Sequence, residues 1–417
     1  MTVSTHRPER AGRHSGRSAS PPGRREIMKM MIVFLTVFLL VYGGMHLYLF
    51  TRLGDLFSPG PAGSLLMGGL AVFLVVSPIL VRFVERHGPE GPALLFAYAA
   101  YTWMGFVFIT LSLLIVFDIL RLPLSLAGFG GSRLLAVSTT TALSLVLGLG
   151  LSAWGCYEAR NVGITHITIE TPKLPDHLER FRIVQISDVH LGLVFREGRL
   201  SRILDLVREA GPDLLVATGD LVDGQMDHIA GMIPLLRAVE PPCGKYAVMG
   251  NHEFYAGEDH AQEFMESAGF RVLRDETVTI LDGAMVIAGV DDPAGQGRSP
   301  LRSPRGFGEG EPEDGLLAGT ATGSFRLLLK HQPTVSGADP SPFDLQLSGH
   351  THRGQIAPFN LVTSLFYRYA SGYHHLPGGG RLYVSRGAGT WGPAMRILSP
   401  PEVVVIDLVR TSPKDGT

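Results

Sequence analysis

FRIVQISDVH, residues 181–190, is the stretch on which the reading of this chain turns. Residues 181–186 form a short apolar run that reads as a β-strand, and it breaks into Ser187, Asp188, Val189 and His190. The same event recurs four times downstream. Residues 213–217 run into Thr218, Gly219, Asp220, Leu221, Val222 and Asp223, and residues 245–249 into Gly250, Asn251, His252 and Glu253. Residues 325–329 run into Lys330 and His331, and residues 345–347 into Ser348, Gly349, His350, Thr351 and His352. Between the first two strands, Leu200, Ile203, Leu204 and Val207 have helical spacing. In α/β proteins ligands collect beyond the carboxyl ends of strands, where loops converge. One ending in Asp or Asn is ordinary turn chemistry. Five in order, four of them with histidine, point to a shared site.

The residue types say what such a site could hold. Carboxylate oxygens, imidazole nitrogens and one amide oxygen make a mixed hard-to-borderline donor set that suits Mn, Fe or Zn better than thiolate-selected metals. Two cations about 3.5–4 Å apart need a shared carboxylate and separate ligands on either side. Such a pair clamps a phosphoryl group and activates water. Glycines beside the ligands allow sharp turns and keep the approach open.

In order and spacing these blocks resemble the calcineurin-like metallophosphoesterase superfamily, over roughly residues 181–408. The blocks are Asp188-x-His190, Gly219-Asp220-x-x-Asp223, Gly250-Asn251-His252-Glu253, His331, and Gly349-His350-Thr351-His352. The resemblance implies an α/β domain of two β-sheets packed face to face and flanked by helices, with metals at one sheet edge. It also implies two divalent cations, manganese favoured. One would be held by Asp188, His190, Asp220 and His352, the other by Asp220, Asn251, His331 and His350, with Asp220 bridging. His252 resembles the family's catalytic histidine, which protonates the leaving oxygen. Asp223 and Glu253 are expected to support these groups rather than bind metal. Many relatives have glycine where this chain has Arg353, whose guanidinium could meet a substrate phosphate or point to solvent. SRGAGTWGP at 385–393, with Arg396 and Pro400-Pro401-Glu402, resembles the membrane-associated bacterial branch of the superfamily. That branch includes four-helix transmembrane proteins and phosphodiesterases grouped with lipid A precursor hydrolases.

Ahead of this half the texture is different. The 417 residues are 45% hydrophobic and 18% charged, but the apolar share is concentrated before about residue 155. Residues 28–50, 65–81, 93–120 and 134–154 are each near or above the roughly 20 apolar residues that cross a bilayer. Gly68, Gly69 and Pro78 interrupt the second, which membrane helices tolerate. No small-residue cleavage site follows the first run, so a removed signal peptide is not expected. Asp118 is the main charge within these runs, and an interfacial position is its expected role; no ion-pair network or transport pathway is expected. The expected organisation is a disordered basic tail (1–27), a transmembrane helical region (28–158) and a metallophosphoesterase domain (159–417) with a flexible insertion at 293–324. The tail's Arg7, Arg10, Arg13, Arg17, Arg24 and Arg25 favour a cytoplasmic start. Four crossings return the chain to that side, so the expectation is a multi-pass protein with its catalytic half in the cytoplasm.

Net charge is −2, and no basic stripe argues for nucleic acid. Cys156 and Cys243 are too few for a disulfide framework or thiolate zinc site, and a bridge between them is not expected. Phe359, Leu361, Phe366, Tyr367, Tyr369 and Tyr373 could form an apolar wall or lid for an acyl chain, with core packing the favoured expectation. The function expected is hydrolysis of a phosphoester or pyrophosphate bond, in a lipid-linked substrate such as a nucleotide-diacylglucosamine. The alternatives are a non-catalytic membrane signalling or binding protein that keeps the fold, or a metal-dependent nuclease. Oligomeric state is left open.

Overall fold

The computed structural model describes residues 24–129, 132–224, 226, 229–296, 312–321, 323–335, 337 and 340–411. The tail expected to be disordered therefore lies outside the described residues up to position 23, as does half of the expected insertion. Four long helices come first: α1 (Arg24–Phe57), α2 (Pro61–His87), α3 (Glu90–Leu124) and α4 (Val137–Glu158). All four are long and apolar enough to cross a membrane. Small residues let them approach one another. On α4, Thr141, Ser144, Gly148, Ser152 and Gly155 recur every three or four positions and are buried, and Gly148 lies against Thr110 of α3. Leucines take the opposite role: Leu65, Leu66 and Leu149 are at least two-thirds exposed, as a lipid-facing surface requires. Asp118 differs from the expectation of an isolated interfacial charge. It is paired with both Arg52 and Arg121, and Tyr48 donates to it, at the end of the bundle away from the catalytic half.

The remainder is two six-stranded sheets. The first contains β1 (Gly163–Thr171), β2 (Arg180–Ile186), β3 (Leu214–Thr218), β4 (Lys245–Val248), β5 (Arg271–Val272) and β12 (Glu402–Arg410), in the order β1-β12-β2-β3-β4-β5. The second contains β6 (Glu276–Ile280), β7 (Met285–Val290), β8 (Phe325–Lys330), β9 (Leu345–Ser348), β10 (Gly372–His375) and β11 (Arg381–Val384), in the order β10-β11-β9-β8-β7-β6. β2, β3 and β4 run parallel, as do β7, β8 and β9. The period of two along β2 explains the layering. Phe181 and Ile183 enter the core between the sheets, where they join Leu327, Leu329, Leu345 and Leu347 of the second sheet. Val184 and Ile186 face the other way, onto Leu200, Ile203, Leu204 and Val207 of α5 (Glu197–Ala210). The short helices α6 (Ile233–Arg237), α7 (Asn251–Ala256) and α8 (Glu258–Ser267) complete the first sheet's helical side.

The stretch expected to be a flexible insertion is structured at its end. Helix α9 (Pro312–Ala318) buries Leu317 against the second sheet, and its Glu313 carboxylate pairs with Lys330 at 2.9 Å. The last helix, α10 (Phe359–Phe366), corrects part of another expectation: Tyr369 and Tyr373, which follow it, pack against the core as expected, and the helix does not. Phe359, Leu361, Leu365 and Phe366 are all exposed rather than packed in a core. Phe359 instead meets Phe108 of α3, with ring centroids 6.2 Å apart. The two halves also meet along a seam in which Met395 and Ile397 lie against Gly105 and Gly155, and Arg396 N–H donates to Gly155 O at 2.9 Å. Both cysteines are free.

Candidate metal centre

The parallel strands β2, β3 and β4 of one sheet and β8 and β9 of the other end at the same edge of the sandwich. Their carboxyl ends deliver Asp188 and His190, Asp220 and Asp223, Asn251 and His252, His331, and His350 and His352. Three donor groups form there, each with ligand atoms within 4.8 Å of one another: Asp188, His190 and His352; His190, Asp220 and His252; and Asp220, His331 and His350. Asp220 belongs to two of them. Asn251 joins the third through its Oδ1, which lies 3.2 Å from His331 Nε2 and 3.0 Å from His350 Nδ1. The sequence blocks therefore converge on one place.

The backbone is strained to bring this about. Asp188, His190, Asp220, His350 and His352 all have φ between 47° and 73°, in the left-handed region. Residues of this kind cost on the order of 1–3 kcal/mol each and persist only when their surroundings hold them. Those surroundings are specific. Glu253, completely buried, accepts amide N–H groups from Asp220, Val222 and Gly250 at 2.9, 3.0 and 2.7 Å. Its carboxylate thus ties the β3 ending to the β4 ending. Gly250 has no alternative, because a Cβ there would collide with the Asp220 carboxylate.

His331, His350 and His352 are each anchored through one nitrogen and turned inward through the other. His331 Nδ1 donates to Thr218 O at 2.8 Å, leaving Nε2 to face Asp220 Oδ2 at 3.1 Å. His350 Nε2 meets the Tyr367 hydroxyl at 2.7 Å and its Nδ1 points inward. His352 Nδ1 accepts from Arg396 Nη2 at 3.0 Å, and its Nε2 faces His190 Nε2, also at 3.0 Å. Nitrogens aimed at one another, with Nδ1 of buried His190 lacking any partner, are poorly served by hydrogen bonds alone. Cations among the inward-facing nitrogens and carboxylate oxygens would give those atoms partners, so the donors present fit divalent metals.

Most of the charges are consistent with that fit; His331 differs, because burial is outweighed by Asp220 and Asp188, which hold it well above the ordinary imidazole value. Burial alone would raise Asp220, but His331, His252 and His190 hold it well below the ordinary carboxylate range. Burial pushes Asp188 up to about 6 and Glu253 up to about 7. Burial pulls His190 down to about 4 and His350 down to about 3, leaving neutral rings of the kind that bind metal. His252 goes the other way: burial lowers it, but Asp220 and Asp223 outweigh burial and raise it. Its Nδ1 donates to Asp223 Oδ1 at 2.9 Å, and its ring packs edge-on against His190.

Arg353 is not brought into the cluster. It is exposed, and its guanidinium makes no hydrogen bond or ion pair among the described residues. Three contributors were missed by the strand-end reading. Arg396 is completely buried and also donates to the carbonyls of Arg386 and Gly389. Tyr367 arrives from beyond α10. Asp292, after β7, accepts from Gln332 Nε2 at 2.9 Å, next to His331. A strand ending in two aspartates was the available sign of the last.

Residues 181–354 match the family model described as calcineurin-like phosphoesterase. An uncharacterized metallophosphoesterase of Aquifex aeolicus is 39% identical over 259 residues, covering 62% of this chain and 96% of that protein. A zebrafish transmembrane protein with metallophosphoesterase domain is 31% identical, over 64% of this chain and 62% of its own length. Its bovine namesake is 29% identical over 75% of this chain and 74% of its own length, a span that reaches into the helical half. Identity of 39% over nearly the whole Aquifex protein means that this chain belongs to the calcineurin-like metallophosphoesterase family, as a metal-dependent phosphoester hydrolase.

Proposed function

We propose that the chain is a membrane-anchored, two-cation enzyme that hydrolyses a phosphoester or pyrophosphate bond in a lipid-linked substrate at the cytoplasmic face. The observation that carries this reading is the convergence of donors on the Asp220 carboxylate. Asp188, His190, Asp220 and His352 would hold one cation; Asp220, Asn251, His331 and His350 would hold the other. Manganese is the favoured ion for this oxygen and nitrogen set. Bound there, divalent cations supply Lewis acidity toward phosphoryl oxygens and water.

His252 is the proposed proton donor to the leaving oxygen. Asp223 fixes its Nδ1–H, which leaves Nε2 to work. Glu253 positions Asp220 through the backbone. Arg353 is free to meet a substrate phosphate.

Two features support a lipid-linked substrate, such as a nucleotide-diacylglucosamine. The exposed face of α10 continues the apolar surface of α3 through the Phe108–Phe359 contact. Tyr367, directly after α10, touches His350. The rim of the site and an apolar surface are thus one continuous piece of chain. Cytoplasmic placement is supported by the even number of crossings. Arg24, Arg25, Lys29, Arg82 and Arg86 stand at the catalytic end, against Arg52, Arg121 and Arg133 at the other.

Chelation is expected to abolish hydrolysis of a soluble diester by the purified full-length chain, and Mn²⁺ to restore it. Asp220→Ala should bind less metal by elemental analysis and stay inactive; full activity in that variant would sink the two-cation reading. His252→Asn should lower kcat by roughly 10²–10⁴-fold on an alkyl ester. On a p-nitrophenyl ester, whose leaving oxygen needs no proton, the loss should be much smaller; equal losses on the two would remove the acid role. The pair Leu361→Gln and Leu365→Gln should reduce kcat/KM on a lipid-linked diester in mixed micelles by roughly tenfold or more, since burying one leucine is worth about 1.5–3 kcal/mol. The soluble ester should be unaffected, and parallel losses would argue against the lipid-facing role. A reporter active only in the cytoplasm should be active when fused after residue 411, and an exported signal would reverse the orientation.

A further inference from the structure

A second charged site lies outside the metal centre, where the helical and catalytic halves meet. A cleft of about 420 Å³ is lined by Arg160, Arg196, Arg199 and Arg202, together with Leu94 and Tyr98 of α3. Four guanidinium groups share this cleft, and only Arg196 has a carboxylate partner, Glu90. Arg199 spends one N–H on Ala159 O, at 2.9 Å, and stacks over the Phe195 ring at 4.8 Å. Among the described residues, neither Arg199 nor the exposed Arg160 and Arg202 has a carboxylate partner. Burial pulls the Arg199 guanidinium below its ordinary value, and repulsion from Arg160 and Arg202 adds to that. Three uncompensated positive charges around one cleft call for an anion.

The depth of the cleft says which anion. Trp154 and Tyr157 of α4 are more than half exposed, with ring centroids 5.6 Å apart, the kind of aromatic pair that sits at the headgroup level of a bilayer. Arg160 follows directly, in the turn that closes α4, where its amide donates to Tyr157 O at 3.0 Å. The cleft is therefore cationic at the depth where phosphates lie. Guanidinium groups suit phosphate because they offer paired N–H donors, and basic pockets beside transmembrane helices recognise anionic headgroups.

We propose that Arg160, Arg199 and Arg202 form a binding site for the phosphodiester headgroup of an anionic phospholipid. The proposal rests on the four helices crossing a bilayer and does not depend on the metal chemistry. The bound lipid ties the end of α4 to α5, and so fixes how the catalytic half sits on the membrane surface.

The test uses the full-length chain, stripped of lipid in detergent and titrated with phosphatidylglycerol or phosphatidylcholine of identical acyl chains, with binding read by native mass spectrometry. One phosphatidylglycerol per chain is expected, held more tightly than phosphatidylcholine and not displaced by millimolar inorganic phosphate. Arg160→Gln with Arg202→Gln should weaken phosphatidylglycerol binding by roughly 30-fold, at about fivefold per arginine. Hydrolysis of a soluble ester should be retained, which shows the variant to be folded. Lysine at both positions should keep most of the affinity. Equal binding of the two lipids, or wild-type affinity in the glutamine variant, would overturn the proposal. Displacement by inorganic phosphate would overturn the lipid assignment in favour of a soluble anion.

Discussion

The Asp220 carboxylate is the constraint around which the catalytic half is organised. One oxygen accepts the His252 amide at 2.9 Å, and the other faces His331 at 3.1 Å and His190 at 3.9 Å. Its own amide is held by Glu253. A buried carboxylate with this many imidazoles around it is stable only as the anion, and the neighbouring chain has to accept unfavourable backbone angles to surround it. The five left-handed residues are the visible consequence. Both sheets must also end at one edge, because ligands from β2, β3 and β4 have to meet ligands from β8 and β9. The parallel order of those strands provides that.

Much of this centre was legible in the sequence, for a local reason. A strand followed at once by a ligand places that ligand beyond the strand's carboxyl end, whatever the rest of the chain does. Asp188, Asp220, Asn251, His331, His350 and His352 all follow that rule. Asp223 and Glu253 were legible as supporting groups, and the structure gives each a definite partner, His252 and three backbone amides respectively. What was not legible depends on distant packing. Arg396 reaches His352 across 44 positions, and nothing in its neighbourhood announces a ligand-holding role. Tyr367 became relevant only once α10 had been placed beside β9.

The apolar segments divide in the same way. Length and composition identify the four long helices, because crossing a bilayer is a requirement on a single segment. The same residue types in α10 suggested a core, because in water an apolar face needs a protein partner. Beside a membrane that inference reverses, since lipid can be the partner. The Asp118 group makes a related point about charge. Arg52 and Asp118 stand 66 positions apart on different helices, so the pairing could not be read from either run alone.

Arg396 occupies both sides of the boundary between the halves. Its backbone amide is bonded to Gly155 of α4, while its side chain steadies His352. A tilt or rotation of that helix would be felt at the ligand without passing through any flexible linker. The anchor is thus not a tether of arbitrary length but a part of the scaffold. On the proposed reading of the four helices as membrane-spanning, bilayer thickness and lateral pressure become physical variables of the candidate metal centre, in the way that temperature or ionic strength are for an enzyme in solution.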